Sequence, residues 1–182
     1  MRARLTRRAA LGTAAALALG SCGGGDDPPA GAGAAPGSGA GLLGSLLAFE
    51  LAVTAAYEAC FDVLRGDALR WTREIHEDER RHADFLERLI RDLGGTPPRS
   101  KSREEYARSF PRLPDATAAL RFMQDLEERE VRGFLDALAD LPDPELRASV
   151  AELAVAEGAH LAAVHVLRRE PAAQDPFVTG AL

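Results

Sequence analysis

Apolar residues recur every three or four positions through most of residues 42–170, and nowhere do they alternate as they would in a strand. This spacing places them on one face of an α-helix, so it predicts a bundle of amphipathic helices without a sheet. Gly94 and Gly95 interrupt the pattern, as do Pro142 and Pro144 further along. Because glycine commonly ends a helix and proline cannot continue one, these positions separate helical segments.

Four long helical segments result, with short links inside the first pair and the last pair. A long stretch from Gly94 to Pro114 joins the second segment to the third, and a short helix is expected around 104–109. Asp115 is placed to cap the third segment. Short links join antiparallel neighbours, whereas a long link can run the length of a bundle. The sequence therefore predicts an all-α, up-down-down-up four-helix bundle over residues 42–170, with a long crossover between helices 2 and 3.

Every apolar stripe is interrupted by carboxylates or imidazoles. An ionised carboxylate in a core costs several kcal/mol unless it is paired or binds a metal. Two of the interruptions have the pattern Glu-x-x-His, whose two side chains share one helix face. A carboxylate placed in this way can bridge two cations while the imidazole binds one of them. The interrupting residues are Glu50, Glu79, His82, Glu127, Glu130, Glu157 and His160.

Several of these motifs resemble a known family. Glu50 with Tyr57 seven residues later, Glu127 with Phe134, and the segment 154–160 are similar to helices of the ferritin-like superfamily, in particular bacterial di-iron carboxylate proteins related to rubrerythrin and bacterioferritin. The resemblance covers residues 42 to about 169 and implies a ferritin-like fold with two iron ions, or alternatively manganese. By this likeness the metal ligands are Glu50, Glu79, His82, Glu127, Glu157 and His160, with Glu130 as an additional candidate on the third helix.

The resemblance leaves two kinds of function open. In the first, the two metal ions support iron oxidation or redox chemistry with O₂ or peroxide at the cell envelope. In the second, the bundle is a non-catalytic structural or interaction module whose metal site is empty or degenerate. No cysteine cluster of the rubredoxin type occurs, so an attached electron-transfer iron site is not expected. A homodimer is left open.

The first residues are typical of an export signal rather than of the fold. Arg7 and Arg8 precede an Ala/Leu run that is too short to span a membrane. The run ends in Leu-Gly-Ser-Cys, which resembles a bacterial lipobox with Cys22 as the acylated residue. We therefore predict a twin-arginine lipoprotein signal over 1–21, a Gly/Ala/Pro-rich tether over 22–41, and a short tail over 171–182. The expected location is the outer face of the cytoplasmic membrane or the periplasm. The alternative is an uncleaved amphipathic helix.

Net charge and the remaining histidines complete the expectations. The formal charge is −6, and removal of the first 21 residues would make the chain more acidic still. This acidity argues against nucleic acid as a partner and mildly favours cations. His76 and His165 fall outside the predicted metal layer and are interpreted as surface residues. Cys60 is interpreted as a small buried hydrophobic residue.

Overall fold

The computed structural model describes residues 39–170, which form five helices and no strand. The predicted signal peptide, Cys22 and the tail over 171–182 lie outside these residues. The predicted all-α bundle with its long central crossover is confirmed. The helices are α1 (Gly39–Cys60), α2 (Gly66–Asp92), α3 (Arg103–Ala107), α4 (Ala116–Asp140) and α5 (Pro144–Leu167).

Local sequence signals fix the helix ends. The Asp115 side chain accepts a hydrogen bond from the Ala118 backbone N–H at 2.9 Å, so the predicted cap of α4 is confirmed. Asp143 caps α5 through the N–H of Leu146 at 2.7 Å. At the end of α2, Gly94 has φ +74, a left-handed conformation that glycine adopts without strain.

The four long helices pack as two hairpins. α1 packs along α2, and α4 packs along α5. The hairpins meet where α1 contacts α4 and where α2 contacts α5, while α3, in the crossover, packs against α1. This arrangement brings the middle of all four long helices to one layer of the bundle.

Two apolar clusters fill the bundle, one on each side of that middle layer. Leu43, Leu86 and Phe134 belong to the first cluster. Tyr57 and Met123, both fully buried, belong to the second cluster. The polar residues of the apolar stripes therefore lie between two hydrophobic regions that shield them from water.

α1 begins at Gly39, and this glycine packs against Leu146 near the start of α5, where an added Cβ would lie 3.2 Å from Leu146 Cδ2. The interpretation of two histidines as surface residues is wrong. His76 and His165 are buried rather than on the surface, with 7% and 8% of their area exposed. The ring of His76 lies edge-on to Phe61 at 5.3 Å, and His165 Nδ1 lies 3.5 Å from Glu170. Cys60 is buried as expected, and burial raises the pKa of its thiol to about 12.

α1 and α5 are long and apolar enough to cross a membrane by length and composition alone. Core helices of a bundle have the same properties. Both helices turn a buried glutamate, Glu50 or Glu157, into the polar layer that they share with α2 and α4. Their apolar composition is thus accounted for in part by burial inside the bundle.

Candidate metal centre

The polar layer is built from five glutamates and two histidines, supplied by all four long helices. Each glutamate is at most 1% exposed, and the side chains of the two histidines are 10–12% exposed. Helical spacing explains this convergence, because each of these residues replaces an apolar residue on an inward-facing stripe. All seven predicted residues are brought together: Glu50, Glu79, His82, Glu127, Glu130, Glu157 and His160.

The two Glu-x-x-His pairs cross one another. His82 Nδ1 lies 2.7 Å from Glu157 Oε1 and 3.4 Å from Glu79 Oε2. His160 Nδ1 lies 2.8 Å from Glu79 Oε1 and 3.1 Å from Glu157 Oε2. Each of the two glutamates therefore presents one oxygen to one imidazole and its other oxygen to the second imidazole. The imidazole rings stack with their centroids 5.5 Å apart.

Ligand atoms converge in two overlapping sets. One set contains both Glu-x-x-His pairs, and the other contains Glu79, Glu127, Glu130 and Glu157; in each set one atom per residue lies within 4.8 Å of all the others. Glu79 and Glu157 belong to both sets and therefore lie at the centre of the arrangement. Glu50 belongs to neither set. It is nevertheless close to the cluster, because the charges of Glu79 and Glu157 add to burial in raising its pKa well above the usual range.

Most oxygens of the cluster lack a hydrogen bond. Both carboxylate oxygens of Glu50 and Glu130 are buried and have no hydrogen bond, whereas the buried oxygens of Glu79 contact only the two imidazoles. Buried polar groups in native proteins are otherwise almost always satisfied. Oxygens that converge without hydrogen bonding are arranged as ligands for cations, so the residues present fit a metal centre.

The glutamates of the metal-free cluster differ in the direction in which their pKa values shift. Burial raises the pKa of Glu127 and Glu130 well above the usual range, and the neighbouring Glu79 carboxylate raises both further. Burial alone would also raise the pKa of Glu79, but the imidazoles of His160 and His82 lower it to about 2. Several carboxyls in one dry layer cannot all ionise without additional positive charge.

The same contacts that lower the pKa of Glu79 raise the pKa of the two imidazoles. Burial by itself would lower the pKa of both rings, but the contacts with Glu157 and Glu79 raise it to about 9 for His82 and about 11 for His160. In the metal-free protein these protonated rings supply the positive charge that divalent cations would otherwise provide.

Two further residues support the cluster from outside. Tyr57, fully buried, donates a hydrogen bond to Glu127 Oε1. Asp78 Oδ2 lies 3.6 Å from the outward nitrogen Nε2 of His160. Asp78 was not predicted from the sequence. Its position directly before Glu79 was the available signal, because it lies beside the Glu-x-x-His pair on the side of α2 nearest α5.

Comparison with known proteins identifies the family. The ferritin-like domain matches residues 40–170, which is most of the chain. The chain belongs to the ferritin-like domain family. Its fold resembles the crystal structure of a conserved hypothetical protein, Rv2844, from Mycobacterium tuberculosis, with a TM-score of 0.62 and 14% identity over 71% of this chain and 96% of that one. At that identity the likeness concerns the fold alone. No curated protein matches the chain significantly.

Proposed function

We propose that this ferritin-like protein holds two iron or manganese ions and uses them for redox chemistry with O₂ or peroxide, or for oxidation of ferrous iron. The observation that carries the proposal is the set of buried, unpaired glutamate oxygens that converge with two imidazole nitrogens. Oxygen and nitrogen ligands of this type suit iron and manganese. Two divalent cations would also neutralise most of the negative charge of the layer.

The crossed contacts support Glu79, His82, Glu157 and His160 as the central ligands. Because Glu79 and Glu157 each present one oxygen to each imidazole, both would hold the two ions together with His82 and His160. Glu127 Oε2 lies 3.9 Å from His160 Nδ1, which supports Glu127 as a ligand on the His160 side. By the symmetry of the hairpins, Glu50 would serve on the His82 side, with Glu130 as an additional carboxylate beside Glu127.

The metals would supply electron transfer to O₂ or peroxide, and the protein would control geometry and access. The apolar clusters on both sides of the layer exclude water. Tyr57 orients Glu127 by its hydrogen bond, and Asp78 holds the imidazole of His160 from the outside. Such outer contacts orient metal-binding side chains and tune their basicity.

We place this activity at the cell envelope, by way of the lipobox-like sequence that ends at Cys22. Acylation of Cys22 would anchor the bundle through the tether over 22–41 to the membrane surface. Export through the twin-arginine route accepts folded proteins, so the ions could be inserted before transport. The anchor is tested by metabolic labelling with a radioactive fatty acid, which Cys22→Ser should abolish.

A non-catalytic bundle is the second candidate. The protonated state of the metal-free cluster favours it, because the imidazoles and neutral carboxyls already reduce the charge of the layer. Such a protein would keep the fold and lack tightly bound ions. A structural or interaction role at the envelope would then remain.

Metal content after anaerobic reconstitution with Fe(II) and Mn(II) separates the two candidates. We expect about two ions per chain for the wild type, as in other four-helix carboxylate centres, and a loss of both in Glu79→Ala/Glu157→Ala. The control is Glu77→Ala/Glu152→Ala, which removes two exposed glutamates from the same helices. A wild type that binds no metal would sink the redox proposal and leave the non-catalytic bundle.

A further inference from the structure

The crossover between α2 and α4, residues 94–114, is a basic segment in an acidic chain. It contains five basic residues and two acidic ones, whereas the whole chain has a formal charge of −6. A local excess of positive charge on an acidic protein is a surface that attracts anionic partners. All five basic side chains are exposed, and we call them together the crossover patch: Arg99, Lys101, Arg103, Arg108 and Arg112.

The basic residues of the crossover patch are not used inside the fold. Among the ion pairs that arginine and lysine form within residues 39–170, none involves a member of the patch. On α2, by contrast, every arginine has a partner. Arg73 and Arg88 lie over aromatic rings. The others form ion pairs with carboxylates of their own helix: Arg70, Arg80, Arg81 and Arg91.

The crossover runs along α1 from one end to the other. At its beginning, a Cβ added at Gly95 would lie 3.1 Å from Ala40 Cβ, so the chain passes close against the start of α1. In its middle, α3 packs against α1. Near its end, Phe110 packs against the apolar cluster that contains Tyr57. The five charges are therefore spread along α1, whose 22 residues extend over about 33 Å.

Local contacts fix the backbone that carries the patch. The hydroxyl of Tyr106, a buried residue, accepts a hydrogen bond from the Lys101 backbone N–H at 3.2 Å. Ser102 and Glu105 cap the start of α3 reciprocally, and the Glu105 carboxylate accepts the Ser102 N–H at 2.8 Å. One of the two carboxylates in the segment is thereby engaged by the backbone. A surface that is already ordered loses little entropy when it binds.

The described part of the chain begins beside the patch. A Cβ added at Gly39 would lie 3.7 Å from Leu93 Cδ1, and Leu93, which is 50% exposed, directly precedes the crossover. The proposed acylation of Cys22, 17 positions before Gly39, would hold this end of the bundle near a lipid surface. The distance would be at most about 60 Å, because that is the length of 17 fully extended residues.

We propose that the crossover patch docks the bundle lengthwise on a membrane surface that contains anionic phospholipid, an inference that rests on the proposed location at the envelope but not on the metal centre. Each lysine or arginine close to such a surface strengthens binding by about fivefold. Five charges along one side would therefore set the orientation of the bundle, which an acyl chain on a tether does not do.

A nucleic acid fits the crossover patch less well than a lipid surface does. Proteins that bind single strands stack the bases on accessible aromatic side chains. The aromatic residues of the crossover are Tyr106, which is buried, and Phe110, which packs against Phe122 of α4. The negative charge of the remaining chain would repel a duplex that extends beyond the patch. Lipid headgroups need only spread positive charge.

The test is cosedimentation with vesicles of phosphatidylcholine alone and of phosphatidylcholine mixed with phosphatidylglycerol. The full chain carries Cys22→Ser, so that acylation plays no part, and binding to the neutral vesicles measures the contribution of the N-terminal apolar run. We expect additional binding to the anionic vesicles, and its loss at about 1 M salt, where the screening length falls to about 3 Å. The N-terminal basic residues are neutralised so that they do not bind lipid themselves: Arg2→Gln, Arg4→Gln, Arg7→Gln and Arg8→Gln.

Two variants divide the patch. Arg99→Gln/Lys101→Gln/Arg103→Gln should weaken binding to the anionic vesicles by roughly 100-fold, at about fivefold for each residue. Arg108→Gln/Arg112→Gln should weaken it by roughly 25-fold if the bundle lies lengthwise. Both variants should keep the fold, because all five side chains are exposed.

The matched control is Arg88→Gln/Arg121→Gln/Arg132→Gln. It removes three positive charges from exposed positions of α2 and α4 and leaves the crossover intact. The control should reduce binding far less than the first variant. Metal content is measured on the same samples and should not change in any of them, because the patch contains no residue of the polar layer. A failure of lipid docking is therefore distinguishable from a failure of the metal proposal.

Four results would overturn lengthwise docking on anionic lipid. The first is equal binding to neutral and anionic vesicles. The second is an equal loss of binding in the crossover variants and in the control, which would reflect net charge alone. The third is a loss confined to Arg99→Gln/Lys101→Gln/Arg103→Gln, which would mean that only one end touches the lipid. The fourth is a chain that binds DNA through the patch and does not bind anionic vesicles.

Discussion

Tyr57 in α1 donates a hydrogen bond to Glu127 in α4, and so links the two hairpins beside the candidate metal centre. Tyr57→Phe removes this donor and leaves a buried carboxyl oxygen unpaired. We expect the metal-free protein to lose about 1–3 kcal/mol of unfolding free energy, and the loss to change when metal binds Glu127. Urea denaturation with and without metal measures both values.

Tyr106→Phe is the control for that comparison. Tyr106 is buried, and its hydroxyl accepts a hydrogen bond from the Lys101 backbone N–H at 3.2 Å, away from the metal layer. Its cost should be the same with and without metal. Equal, metal-independent costs for both tyrosine variants would contradict a link between Tyr57 and the centre.

Asp78 is expected to position the imidazole of His160 for metal binding. We predict that Asp78→Asn weakens the binding of Mn(II) by roughly 10–100-fold, the usual effect of removing an outer partner of a metal-binding histidine. Isothermal titration calorimetry measures this affinity. Glu77→Gln, at the neighbouring exposed position, should leave it unchanged. An unchanged affinity in Asp78→Asn would show that the 3.6 Å contact has no role in binding.

Glu127 and Glu130 can be separated by substitution. Glu127 lies 3.9 Å from His160 Nδ1 and corresponds to Glu50 in the other hairpin, whereas Val53 occupies the position that corresponds to Glu130. We therefore expect Glu127→Ala to lose one ion per chain. Glu130→Ala should retain both ions, with weaker binding of one. Elemental analysis after gel filtration distinguishes these results, and loss of an ion only in Glu130→Ala would reverse the assignment.

The stability of the metal-free protein should fall as the pH rises. Burial raises the pKa of Glu50, Glu127 and Glu130 above the ordinary 4.5. The folded state thus keeps protons that the unfolded chain releases, and the resulting stabilisation is complete below pH 4.5 and is lost at higher pH. The contributions of the two histidines are complete below pH 6.5 and are lost near pH 9 for His82 and pH 11 for His160. The lowered pKa of Glu79 acts in the opposite sense, but only as the pH falls from 4.5 toward 2.

Thermal melts from pH 5 to pH 9 test the predicted fall in stability with rising pH. We expect the melting temperature of the chelated protein to decrease over this range. The metal-loaded protein should instead gain stability from pH 5 to pH 7, because protons compete with the ions for the same side chains. Parallel curves for the two samples would show that the layer does not bind metal.

The fold was predictable because its signals are local. Helical periodicity, the glycines after α2 and the cap at Asp115 each depend on residues close in sequence. The seven polar residues of the layer were also predictable, since a charged residue on an apolar stripe stands out. The burial of His76 and His165 was not predicted, because it depends on contacts with Phe61 and Glu170 respectively. Phe61 lies in another segment and Glu170 lies beyond the end of α5, so helical periodicity does not reveal these contacts. The contact of Asp78 with His160 depends in the same way on how α2 meets α5.

Each hairpin contributes one Glu-x-x-His pair and one or two further glutamates, so neither half can enclose two ions alone. The ions would therefore stabilise the packing of one hairpin against the other rather than the individual helices. A chelator should leave the far-ultraviolet signal of helix nearly intact. It should speed amide hydrogen exchange first where α2 faces α5, and it should change the near-ultraviolet signal of Tyr57.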